Sequence, residues 1–212
     1  MGRDLITGHA LLGVMLISLA MVLTPGPNMM YLISRSVSQG RRAGLVSLLG
    51  IATGFAVYLA SAVIGLTAIF KLVPALYDTV KIAGVIYLLW LAWTTVKPGG
   101  VSVFSPTQLA RDNSRRLWFK GLLTTLLNPK IAIMYAALLP QFVDPARGDV
   151  PLQVLIFGSV QISISLSINT VYVLIASRLS RFLHQRPKWM KLQRRITGGL
   201  LAGFALRIAT TK

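Results

Sequence analysis

Two short polar runs interrupt otherwise apolar sequence, and their residue types suit the capture of a carboxylate. Thr24-Pro25-Gly26-Pro27-Asn28 follows the apolar stretch Ala10–Leu23, and Asn128-Pro129-Lys130 follows Gly121–Leu127. Thr24 and Asn128 are residue types that cap helix N-termini. A proline after each suits the first helical position, where its missing N–H costs nothing. Each run therefore predicts a helix that stops and a half-helix that starts afresh. A helix start presents unpaired backbone N–H groups and the positive end of the dipole, and both favour an anion. Gly26 allows a close approach of backbone to ligand. The plainer alternative is a pair of proline kinks that serve packing alone.

Lys130 is the only basic residue placed deep in an apolar segment. Its unpaired burial would cost about 2.5–3.5 kcal/mol on insertion scales. A substrate carboxylate, Asp144 or a water network could receive its charge, and a stem reaching to the interface is the other solution. Asp144 follows the fourth apolar window and suits a gate, a proton site or a helix cap. Asp78 lies three residues before Lys81, a spacing that makes the two neighbours on a helix, and it is the second carboxylate available to proton coupling. Of the polar run Gln161, Ser163, Ser165, Ser167 and Asn169, Asn169 is the best candidate to line a cavity, and the serines suit contacts between helices. Tyr31 and Tyr135 fit either a cavity wall or the core.

Other chemistries are excluded by what is missing. There is no cysteine, and His9 and His184 are far apart, so no metal-ligand spacing exists. No nucleophile–base set or paired carboxylate points to an enzyme, and no cofactor motif is present. The formal net charge is +17, but the basic residues fall between apolar segments. They read as topology signals and contacts to anionic lipid, not as a nucleic-acid surface.

These residues must be held by membrane-spanning helices. Hydrophobic residues make up 54% of the 212 and mean hydropathy is +0.68, values typical of an integral membrane protein. Six windows are long enough to span: 10–34, 44–70, 74–96, 118–142, 152–177 and 194–211. The stretch Ala10–Leu23 rises only about 21 Å as a helix, short of the roughly 30 Å hydrocarbon core. The first window is thus one broken helix, and the fourth likewise. No small-x-small cleavage site follows residues 10–23, so they are expected to be retained as a helix.

Fifteen of the 22 Lys and Arg residues lie in the first, third and fifth loops. The positive-inside rule then puts those loops in the cytoplasm and both termini outside. An offset of 104 superposes Leu23, Thr24, Pro25, Met30 and Tyr31 on Leu127, Asn128, Pro129, Met134 and Tyr135. A second match, Lys81-Ile82-Ala83-Gly84 on Arg195-Ile196-Thr197-Gly198, falls in the third segment of each half. Three spans per half make a direct repeat fold as an inverted one. The expectation is a single all-α transmembrane domain over 1–212, with repeat one at about 10–96, a linker at about 97–117 and repeat two at about 118–211. Helices interrupted at corresponding places in two such halves point to a transporter binding site.

The chain resembles the lysine exporter / homoserine–threonine exporter (LysE/RhtB) family. The resemblance is carried by Leu23-Thr24-Pro25-Gly26-Pro27, Gly50-Ile51-Ala52-Thr53-Gly54 and Gly84-Val85-Ile86-Tyr87-Leu88. Asn128-Pro129-Lys130 and Leu139-Pro140-Gln141-Phe142-Val143 complete it. It implies proton-driven export of amino acids or close derivatives across the bacterial inner membrane, without specifying the substrate or the oligomeric state. Efflux of another small solute or of a cation, and a non-transport assembly role, are the alternatives.

Overall fold

The computed structural model describes residues 5–24, 26–72 and 111–184, with isolated positions between 82 and 93 and between 195 and 206. Pro25, Asp78, most of the windows 74–96 and 194–211, and residues 97–110 of the expected linker lie outside the described residues. Every regular element among the described residues is helical.

Helix α1 runs Gly8–Leu23, α2 Pro27–Gln39 and α3 Arg41–Leu72. After residue 110 come α4 (Ser114–Leu126), the short α5 (Pro129–Ile133), a π-helical turn (Met134–Leu138), a 3-10 turn (Leu139–Phe142) and α6 (Val150–His184). Within α3, Arg41–Gly65 is long and apolar enough to cross a membrane, as is Val150–Ala176 within α6. The pairs α1 with α2, and α4 with Lys130–Phe142, meet that test only jointly and bend by 52° and 54° at their junctions. The described residues thus hold two candidate spans, or four if each bent pair crosses as one.

Local chemistry accounts for the boundaries. Thr7 caps α1 by accepting from the Ala10 N–H. Thr24 and Asn128 both precede proline and both have extended ψ, 125° and 108°, as the clash with a following proline ring demands. Gly40, at φ 86°, ends α2 in the left-handed region before α3 begins at once. The wide turn at Met134–Leu138 lies just upstream of Pro140, which has no N–H to donate and whose ring crowds the carbonyl four residues back.

The packing is that of a protein dissolved in lipid. Ile17, Leu32, Ile51, Phe55, Met134, Leu138 and Phe157 are fully buried at the helix contacts. Leu12, Leu16, Leu49, Ile64, Leu155 and Val171 point outward, which a bilayer tolerates and water does not. Helices α3 and α4 approach to backbone contact, because a Cβ on Gly50 would strike the Trp118 carbonyl and one on Gly121 the Ser47 carbonyl. Small residues at such crossings are the usual means of joining helices in membranes.

Candidate functional site

The first junction leaves the carbonyls of the last turn of α1 without helical partners. Thr24 does not cap α2. Its hydroxyl donates back to the Ala20 carbonyl (2.7 Å), and α2 begins two residues later than expected, with Gly26 at the cap position, no capping side chain and Pro27 at the first turn. The expectation that Thr24 starts the second half-helix is therefore corrected. A buried threonine hydroxyl finds its nearest acceptor in its own helix, four residues back. At the second junction the expected capping is present. Asn128 Oδ1 accepts from the Lys130 N–H (3.0 Å), with Pro129 in the first turn.

Lys130 reaches from α5 to the end of α1. Its Nζ donates to the carbonyls of Met21 (2.9 Å) and Thr24 (2.8 Å), and the residue is 7% exposed. The ammonium thus sits at the negative end of the α1 dipole, where a cation is favoured. It neither extends to an interface nor meets Asp144. The Asp144 carboxylate instead accepts from the Arg147 Nε (3.1 Å) and the Ala146 N–H (3.0 Å) at the outer end, half exposed. An ammonium has three donors, and two are used on carbonyls. Gly26 lies directly beneath it, since a Cβ there would come within 2.8 Å of Nζ. The close approach anticipated at Gly26 is made by Lys130.

The two junctions touch each other. Asn128 Nδ2 donates to Asn28 Oδ1 (3.0 Å), and Asn28 Nδ2 donates to Thr125 Oγ1 (3.2 Å). The carbonyl of Leu126, freed where α4 ends, accepts from the Tyr58 hydroxyl (2.8 Å), and Tyr58 stacks on Tyr135 at 5.6 Å. Tyr135 in turn donates to Gln161 Oε1 (2.6 Å), and Gln161 Nε2 donates to Ser165 Oγ (2.8 Å).

These groups converge on one small cavity lined by Asn28 of α2, Phe55 of α3, Lys130 of α5 and Gln161, Ser165 and Asn169 of α6. Met21, Val22, Met29, Ile131 and Met134 complete its wall. Of the expected site residues, Asn28, Lys130 and Asn169 line it directly. Thr24, Gly26 and Asn128 act around it through Lys130 and Asn28, while Pro27 is exposed and Asp144 is remote. Gln161 and Ser165 were missed. Their signal is spacing: Gln161, Ser165 and Asn169 recur every four residues and are buried, whereas Ser163 and Ser167 are exposed. The open volume is only about 30 Å³, room for roughly two waters, against about 300–1,000 Å³ for ordinary small-molecule pockets. The site is narrow.

At the basic end, Arg35 of α2 and Lys120 of α4 both contact Asp112 Oδ2, at 2.8 and 2.7 Å. Arg35 also lies over the Tyr31 ring, 5.7 Å from its centre. Lys120, seconded by Arg35, holds the Asp112 carboxyl below its ordinary value in spite of partial burial.

Residues 19–212 match the family described as LysE type translocator. The chain belongs to that family. As a LysE-type translocator it is a multi-pass membrane transporter and not an enzyme, which bears out the resemblance drawn from its motifs. Curated relatives span almost its whole length. A leucine efflux protein of Enterobacter sp. (strain 638) is 27% identical over 89% of this chain and 90% of its own. A homoserine/homoserine lactone efflux protein of Salmonella typhimurium is 29% identical, over 88% and 89% respectively. The membrane protein YrhP of Bacillus subtilis is 27% identical over 94% of this chain and 98% of its own. No solved structure matches this LysE-type chain.

Proposed function

We propose that this translocator exports amino acids or close derivatives from the bacterial cytoplasm, with the substrate bound at the junction of α1/α2 with α4/α5. The observation that carries the reading is the Lys130 ammonium, buried beside a narrow cavity and using two of its three donors among the described residues. A substrate carboxylate is the natural third acceptor, and a charge-assisted bond there is worth about 1.5–3 kcal/mol. The names of the relatives, leucine efflux and homoserine/homoserine lactone efflux, support the same substrate class.

The two bent helix pairs belong, in this reading, to inverted three-helix repeats that rock about the Asn28–Asn128 contact and expose the cavity to each side in turn. Export is driven by the proton gradient, with Asp144 and Asp78 as the carboxylates for coupling or gating. The protein sits in the inner membrane with both termini outside, and its Arg-rich loops contact anionic lipid on the cytoplasmic face. Efflux of a metal cation is disfavoured, because among the described residues lining the cavity the single charge is positive.

The test is counterflow into vesicles holding the purified protein. Preloaded leucine or homoserine should drive uptake of the labelled compound, and an imposed pH gradient should accelerate it. Absence of counterflow for every amino acid tried, with another solute class active, would overturn the assignment.

A further inference from the structure

The cavity at the junction is lined by one charge and, among the described residues, by one amide without a protein partner. Among the described residues lining it, Lys130 is the only ionisable one. No described carboxylate faces it. Asp112 holds Arg35 and Lys120, Asp144 holds Arg147, and Asp149 caps the first turn of α6 through the Leu152 N–H. Asn28, Gln161 and Ser165 are each bonded to another side chain. Asn169 is 3% exposed and lines the cavity, yet no hydrogen-bond partner serves its amide among the described residues. An amide that borders a polar cavity with no protein partner among the described residues is available to bond a ligand there.

We propose that Asn169 is the specificity-determining residue that reads the α-amino group of the substrate, and that the cargo carries an uncharged side chain. The inference rests on reading this cavity as the transport site. Lys130, on α5, takes the carboxylate. Asn169, on α6, offers its Oδ1 to the ammonium. Phe55, Met29, Ile131 and Met134 leave an apolar wall for an aliphatic group. A lysine or arginine side chain would bring a second cation into a space where the charge among the described lining residues is already positive, with no described carboxylate to receive it.

The experiment is direct binding of labelled leucine, lysine and 4-methylpentanoate to the purified protein. The last compound is leucine without its amine. Leucine should bind at least about ten-fold more tightly than either of the others, the size of one hydrogen bond to a charged group. In Asn169→Leu the preference for leucine over 4-methylpentanoate should collapse toward unity, because only the amine has lost its acceptor. This ratio is taken within one variant, so abundance cancels, and Asn169→Ala serves if the larger side chain prevents folding. An unchanged ratio in the variant, lysine binding as well as leucine, or no binding of leucine overturns the proposal. Lys130→Met separates the two levels. If it binds leucine like the wild type, the site itself is misplaced, whereas loss of binding in Lys130→Met with an unchanged ratio in the Asn169 variant removes only the role of Asn169.

Discussion

Lys130 illustrates how one side chain can solve two problems of burial. Its charge needs acceptors in a medium without water, and the end of α1 needs donors for carbonyls that no further turn will satisfy. The two bonds to Met21 and Thr24 answer both needs. They also leave the ammonium at the junction, positioned by backbone on one side and by the Asn128 cap on its own helix. Gly26 is part of this arrangement because any larger residue would occupy space the ammonium now fills. Gly26→Ala should therefore displace Lys130 with little effect on insertion. Counterflow per reconstituted molecule should fall about ten-fold, equivalent to about 1.4 kcal/mol. Unaltered counterflow would mean that the position of the ammonium is not critical.

At the scale of elements, α1 gives way to α2 and α4 to α5 at the polar, proline-bearing runs of the sequence, where proline acts locally, on its own N–H and on the residue before it. That each pair is one broken span belongs to the proposed reading. The windows 44–70 and 152–177 were legible as long apolar runs, and they fall within α3 and α6. The acceptor for Lys130 was not legible, since it is backbone 106 and 109 residues away along the chain and backbone leaves no trace in residue type. Thr24 was read as a cap from its resemblance to Asn128, but its hydroxyl had a nearer carbonyl within α1. The stripe Gln161, Ser165 and Asn169 was visible in its period of four, though the intervening serines masked it. The Arg35–Asp112–Lys120 cluster, also missed, ties α2 to α4 through Asp112, two residues before α4 begins. Because the folded state holds Asp112 below its usual value of 3.8, the cluster contributes stability above that pH and loses it as pH falls further. Thermal stability in detergent should show an extra decline below about pH 3.8 that Asp112→Asn, already lacking the charge, does not show. Parallel curves for the two proteins would deny the cluster a role in holding that end together.

For the whole molecule, the distribution of charge determines orientation, and orientation decides which face of the cavity opens to the cytoplasm. The Arg-rich loops belong inside and the termini outside on the proposed topology. The natural sequence has no cysteine, so a single Thr211→Cys can be labelled without background. An impermeant thiol reagent should reach it from outside intact cells, and labelling only after the cytoplasmic face is exposed would reverse the topology.

The central claim is that the Lys130 ammonium, held at the end of α1, is what the substrate carboxylate meets. Its most direct test is counterflow by Lys130→Met, reconstituted at the same protein-to-lipid ratio as the wild type. Methionine keeps an unbranched apolar stem but has no ammonium. Some stability should be lost because two carbonyls lose their donor, so transport is normalised to folded protein. The account predicts amino-acid counterflow reduced about 10- to 150-fold, the equivalent of about 1.5–3 kcal/mol for one charged hydrogen bond. Counterflow at the wild-type rate and apparent affinity would contradict it.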